Sequence, residues 1–285
     1  MTRKVINTRL DLVEYSSVGK GTPILFIHGG HANCQDTLPQ KGLDKTKFQL
    51  ITPSRPGYGK TPLCRHKTPG NAADLLVAFL DALNIQEVIV YAISAGGYTA
   101  LELVSNYANR ANKLLLVSAV TKKWLNAHEI TYRLAKFLFN LFFEWAPWGI
   151  VHIFSKLTPG LIANNFFPEF STKPGVIIKK NESIELTHTL QHYRSKEGFA
   201  NDIRQDINVS VLQNINCPTL ILHSKYDASV SIEHAEHAHR EIKNAVKVLL
   251  ENKWGHLIWI GDDYKETLSL ILDFMNEKSS ISNKL

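Results

Sequence analysis

Tyr91-Ala92-Ile93-Ser94-Ala95-Gly96-Gly97 is a β-type run that breaks at a serine and passes into helix formers. The residues Glu87 to Ala92 predict a strand, and Ala95 to Tyr107 predict a helix. A serine between the two sits on a sharp turn with its hydroxyl exposed, provided the positions two before and two after it are small. Ala92 and Gly96 meet that condition. The motif is short, and a serine that merely caps the following helix would use the same residues. Its context adds a second property. The backbone N–H of Ala95 lies at the positive end of the predicted helix, where a developing oxyanion is stabilised.

Working outward, the first third of the chain alternates short apolar runs with helical patterns, the order of a mostly parallel sheet covered by helices. Pro23 to Ile27 predicts a buried strand that ends in His28-Gly29-Gly30-His31, and Phe48 to Thr52 a second strand closed by Pro53-Ser54-Arg55-Pro56-Gly57-Tyr58-Gly59. Asn71 to Leu83 has helical spacing, and Lys113 to Ser118 predicts another strand. From Val120 to Asn214 the alternation stops, and Phe, Trp and Leu dominate with breaks at Pro147, Pro159, Pro168 and Pro174-Gly175, which predicts a helical insertion over the sheet. Strands at Thr219 to His223 and Val246 to Glu251 follow, with helices near Ile232 to Ile242 and Tyr264 to Met275. No internal repeat breaks this order.

Four ordered segments together resemble the α/β-hydrolase superfamily, and the resemblance covers nearly the whole chain. They are His28-Gly29-Gly30, Arg55-Pro56-Gly57-Tyr58-Gly59-Lys60-Thr61, the serine turn, and Ile215 to His223 leading into Ser224-Lys225-Tyr226-Asp227. The resemblance implies an α/β fold with a central, mostly parallel sheet flanked by helices. It also implies a core domain made of residues 1–119 and 215–285 and a helical cap of residues 120–214 inserted after the sixth strand. It implies Ser94 as nucleophile, Asp227 as the acid after a late strand, and His256, in Lys253-Trp254-Gly255-His256, as the base after the next. The order Ser, Asp, His agrees with this superfamily. An oxyanion hole would come from the backbone N–H groups of Gly30 and Ala95. The chemistry is coherent, since a serine hydroxyl needs an imidazole to accept its proton and a carboxylate to orient that imidazole. Taken singly, Asp227 reads as a turn residue, His256 as a loop histidine and Gly29-Gly30 as a simple turn.

Composition fits an ordinary globular enzyme: 285 residues, 44% hydrophobic and 20% charged. The net charge of +6 is scattered and not gathered into a patch, which argues against a nucleic-acid partner. Cys34, Cys64 and Cys217 show no metal or disulfide spacing and read as small packing residues. His223, His234, His237 and His239 could suggest zinc, but their spacing puts them on different helix faces, and a solvated histidine-rich face is the simpler reading. No nucleotide, metal or other cofactor is indicated. The N-terminus lacks a secretory signal, and the greasiest stretch, Phe137 to Phe154, is interrupted by Glu144, Pro147 and Gly149, so a cytoplasmic protein without stable membrane insertion is expected. Some of the insertion's aromatics, among them Trp124, Phe137, Phe139, Phe142, Phe143, Trp145, Trp148, Phe166 and Phe167, are expected to line an apolar pocket and the rest to form the cap's own core.

The expected activity is hydrolysis of a carboxylic ester or lactone of a partly apolar small molecule through an acyl-enzyme, by a monomer or homodimer. Carbon–carbon bond hydrolysis and amide or peptide hydrolysis remain open on the same triad, as does a ligand receptor that retains the fold without useful turnover. Epoxide hydrolases and dehalogenases of the superfamily use an aspartate nucleophile, which Ser94 argues against. Iminopeptidase-like members would continue His28-Gly29-Gly30 with Pro-Gly, whereas His31-Ala32 stands here.

Overall fold

The computed structural model describes residues 2–124 and 145–276. Among these, eight strands form one sheet in the order β1-β2-β4-β3-β5-β6-β7-β8. The strands are β1 (Lys4–Asn7), β2 (Leu12–Gly19), β3 (Thr22–Ile27), β4 (Phe48–Pro53), β5 (Val88–Ile93), β6 (Ala111–Val117), β7 (Thr219–Ser224) and β8 (Val246–Leu250). β1 and β2 run antiparallel at one edge, and all pairings from β4 to β8 are parallel. β3, β5 and β7 carry almost unbroken apolar runs because both faces of a central parallel strand are covered.

The two faces form two cores. Leu25, Ile27, Val90 and Ala92 point toward α1 (Pro69–Ala82) and α2 (Gly97–Asn106), whereas Ile24, Phe26, Ile89 and Tyr91 pack with Trp254, Ile271 and Phe274 on the other side. α1 starts where Thr68 accepts the Asn71 N–H through its side chain and Pro69 opens the first turn. Between β6 and β7 lie α3 (Trp145–Leu157), α4 (Pro159–Phe170), α5 (Lys180–Leu190), α6 (Lys196–Asp202) and α7 (Val209–Gln213). α8 (Glu233–Glu241) and α9 (Tyr264–Asn276) complete the described chain.

The chain leaves β3 toward β4 on one side and returns to β5 on the other. Such a reversal opens a crevice at the carboxyl ends of the two strands, where open α/β sheets bind ligands. His28-Gly29-Gly30 and Ser94 follow those two strands.

Four readings change. The antiparallel pair β1–β2 has no uniformly apolar run to announce it. The helix after Ser94 begins at Gly97, because a single tight turn over Ser94–Gly96 intervenes. His234 is not on a solvated face but buried, with its Nδ1 accepting the Thr121 N–H at 3.1 Å. Cys64 likewise departs from a packing role, being exposed at a turn. No described helix is long and apolar enough to cross a membrane. Of the stretch Phe137 to Phe154, residues 137–144 lie outside the described residues, as do Phe137, Phe139, Phe142 and Phe143 individually.

Candidate active site

Ser94 has φ of 50°, a left-handed conformation that a non-glycine residue adopts only when its surroundings impose it. The surroundings are tight backbone contacts. A Cβ on Gly96 would stand 2.2 Å from the Ile27 carbonyl oxygen, and one on Gly97 2.2 Å from that of Val120, so glycine lets the turn nest against β3 and the chain after β6. A Cβ on Gly29 would stand 2.9 Å from the Cβ of Ser94, which puts the loop after β3 directly against the serine. Ser94 and Gly30 both line a cavity of about 510 Å³, and His256 lies on the same wall.

Asp227, on the loop after β7, is fully buried at its side chain, and its Oδ2 faces His256 Nδ1 at 2.8 Å. Oδ1 accepts the backbone N–H groups of Ser229 and Val230 at 2.9 and 2.8 Å, so the carboxylate is held by an Asx-type turn before it meets the histidine. His223, at the end of β7, lies 3.4 Å from the same Oδ2 through Nε2, which donates to the Val230 carbonyl at 2.9 Å. Burial lowers the His223 pKa, with the Asp227 charge opposing, and the neutral ring braces the acid loop. The loops that carry Asp227 and His256 are also joined by the chain leaving α4. The Phe170 carbonyl accepts the N–H of Ala228 at 3.2 Å and of His256 at 2.8 Å, and Ser171 pairs with Asp227 in a single antiparallel bridge.

The loop after β3 is fixed from below by Arg55. Its Nε donates to the His28 carbonyl at 2.7 Å and one terminal nitrogen to that of Gly29 at 3.2 Å, while both terminal nitrogens grip Asp202 of α6 at 2.8 and 2.7 Å. Tyr58 Oη donates to the same carboxylate at 2.6 Å. Burial works against the guanidinium, but the Asp202 carboxylate outweighs it and raises the Arg55 pKa above its ordinary value. His28 is buried and kept neutral, first by desolvation and then by the Arg55 charge. Its Nε2 accepts the Arg55 backbone N–H at 2.9 Å. Gly30 lines the cavity together with Ser94. Ala95 follows the serine in the tight turn Ser94–Gly96, where the first amides of a helical segment have no intrahelical acceptor.

Ser94, Gly30 and His256 thus share one cavity, with Asp227 behind the histidine and Ala95 next to the serine in the chain. The cavity wall also includes residues that sequence reasoning did not single out: His31, Asp36, Tyr193, Phe199 and Trp259. His31 packs on Phe199 with ring centroids 3.8 Å apart and lies 2.7 Å from Ser195 Oγ through Nδ1, and burial lowers its pKa to about 3. Of the insertion's aromatics, Trp124, Trp148 and Phe166 reach the cavity, while Phe167 packs edge-on against Trp254 with centroids 5.2 Å apart. Arg55 was legible only as part of a motif and Asp202 only as part of the helical insertion; nothing in either stretch announces that they pair.

Comparisons with known proteins agree with this architecture. A sequence profile of the alpha/beta hydrolase fold matches residues 22–148. YcgS of Bacillus subtilis (strain 168), an uncharacterized hydrolase, is 42% identical over 96% of this chain and 99% of its own. An alpha/beta hydrolase fold protein from Nakamurella multipartita superposes with a TM-score of 0.79 at 23% identity, covering 96% of this chain and 98% of its own. The enol-lactonase from Burkholderia xenovorans LB400 superposes with a TM-score of 0.71 at 15% identity, over 96% and 100% of the two chains. With the profile match and a relative 42% identical over nearly its whole length, the chain belongs to the alpha/beta hydrolase family.

Proposed function

We propose that this hydrolase cleaves a carboxylic ester or lactone of a small, partly apolar molecule through an acyl-enzyme on Ser94. The observation that carries the reading is the buried Asp227–His256 pair at 2.8 Å, on the wall of the cavity into which a strained serine turn projects Ser94. Ser94 Oγ attacks the carbonyl carbon as His256 Nε2 takes its proton, and Asp227 holds the resulting imidazolium through Nδ1–H. The negative oxygen is received by the N–H groups of Gly30 and Ala95. Collapse of the tetrahedral species breaks the C–O bond, and the alkoxide leaves with the proton from His256. Water then attacks the acyl-enzyme with His256 again as base, and the acid product leaves with Ser94 restored.

A largely aromatic and aliphatic wall, including Trp124, Phe166, Phe170, Leu190 and Trp259, suits an apolar acyl or alcohol group. The test is labelling by a fluorophosphonate probe together with turnover of p-nitrophenyl esters of graded chain length and of a lactone panel. Wild type is expected to label and to turn over. Ser94→Ala is expected to do neither, with activity lower by at least about a thousandfold. Wild type that neither labels nor hydrolyses any ester or lactone would overturn the reading.

A further inference from the structure

The cavity contains a carboxylate that the hydrolytic steps do not use. Asp36, on the loop after β3, lines it. Its Oδ1 accepts the Leu38 N–H at 3.3 Å, and among the described residues no lysine, arginine or further donor pairs with the carboxylate. The group opens onto the cavity and so keeps some accessible surface, yet protein surrounds it, and burial raises its pKa to about 7. A carboxyl in that setting is costly unless something partners it.

The neighbours indicate what the partner is. Burial and then the Asp36 charge raise the Tyr193 pKa, and the ring lies edge-on to Trp148, with centroids 5.7 Å apart; both rings line the cavity with Asp36. Glu169, exposed, is a second acid on the wall, and the described lining residues include neither lysine nor arginine. An anionic ligand would face two acids without a countercharge, whereas an ammonium would find a carboxylate and aromatic faces together.

We propose that Asp36 is a specificity-determining residue that pairs with a protonated amine of the substrate, so that the preferred ester or lactone is a cationic one. This rests on the ester-cleaving reading of the same cavity, since it assigns the cavity's polar wall to substrate binding. Burying an ammonium against the carboxylate removes both isolated charges, and Trp148 and Tyr193 supply the remaining attraction.

The experiment measures binding without turnover. The full chain is titrated with n-pentylammonium, 1-pentanol and pentanoate by calorimetry, for wild type, Asp36→Asn and Asp36→Glu, at pH 6 and pH 8. Wild type is expected to bind n-pentylammonium at least about tenfold more tightly than 1-pentanol, with pentanoate weakest. That preference is expected to fall to within about threefold in Asp36→Asn and to be partly retained in Asp36→Glu. Tyr193, His31, Glu169 and His256 are the other titratable groups on the wall. His31 and Tyr193 are held neutral across this range, and Asp36→Asn leaves Glu169 and His256 in place. Ammonium affinity that rises from pH 6 to pH 8 in wild type and not in Asp36→Asn therefore isolates Asp36. Equal binding of the three probes by wild type, tighter binding of pentanoate, or an ammonium preference untouched in a folded Asp36→Asn would each overturn the proposal. Failure of the esterase reading would show separately, as absent probe labelling and ester turnover.

Discussion

Replacing Asp202 by alanine tests whether a buried ion pair anchors the loop that carries Gly30. The Arg55 and Asp202 side chains are 3% and 2% exposed, and two hydrogen bonds at 2.7 and 2.8 Å join them. Asp202→Ala leaves the guanidinium buried without its countercharge and removes the acceptor of Tyr58 Oη. Breaking a buried pair from one side costs about 3–5 kcal/mol, a large share of the roughly 5–15 kcal/mol that stabilises a domain. Water reaching the guanidinium would recover part of that, so about 3 kcal/mol is the expected loss in urea unfolding followed by tryptophan fluorescence. Arg55 also donates to the His28 and Gly29 carbonyls. Its displacement should therefore move the Gly30 amide and lower ester turnover by about 10²-fold, the scale of losing one oxyanion donor. Adding Arg55→Met to Asp202→Ala should restore part of the stability, because the unpaired charge is gone, but not the activity, because the two carbonyls stay unheld. A stability loss below about 1 kcal/mol in Asp202→Ala, or full activity in the double variant, would refute the reasoning.

Asp227→Asn keeps the two backbone N–H bonds to Oδ1 available but presents His256 with an amide, so turnover should fall by about 10³–10⁴-fold with little change in melting temperature, read by steady-state kinetics and thermal unfolding. Gly96→Ala drives a methyl into the Ile27 carbonyl, 2.2 Å from the ideal Cβ, and should lower the melting temperature by several degrees or prevent folding, read by circular dichroism. The Asp36 carboxyl, raised to about 7 in the folded chain, holds its proton between about pH 4 and pH 7 while the unfolded chain has released it. Unfolding then releases a proton, so this group's contribution to stability is present below about pH 4 and lost as pH rises through 7. Asp36→Asn should remove that loss, and urea midpoints at pH 5 and pH 8 should lie closer together than in wild type.

What could be read in the chain followed from local rules. Apolar runs of β3, β5 and β7 announce themselves because both faces are buried, and Ser94 was placed by the small residues that its turn requires. β1 escaped because its residues are mostly exposed at the sheet edge, and β2, next to it, because its burial is irregular. Asp36, His31 and Phe199 gave no local signal. Their part in the cavity arises where the loop after β3 meets α6 and the preceding turn, contacts separated by more than 160 residues in the case of His31 and Ser195. His234 reads as a surface histidine from its polar helix, yet Thr121 draws it inward from a loop 113 residues away. Periodicity reports which face of an element is apolar; it cannot report which distant backbone amide will need an acceptor.

The helices between β6 and β7 do more than cover the crevice, because they bond to both halves of the site. Asp202 of α6 reaches the loop after β3 through Arg55, and the Arg194 amide donates to the His31 carbonyl at 2.7 Å. Phe170, at the end of α4, takes the amides of Ala228 and His256 on one carbonyl, while the Thr172 amide donates to the Tyr226 carbonyl at 2.9 Å. Displacing α4 would therefore move the loops of Asp227 and His256 together and leave their 2.8 Å contact intact, whereas displacing α6 would shift the loop after β3 against Ser94. The two anchors predict different injuries. On the proposed mechanism, loosening the first alters how the Asp227–His256 pair meets the Ser94 hydroxyl, and loosening the second alters how the negative oxygen is received. On the proposed mechanism, that division explains why a buried ion pair, expensive to assemble, stands under the loop that carries Gly30.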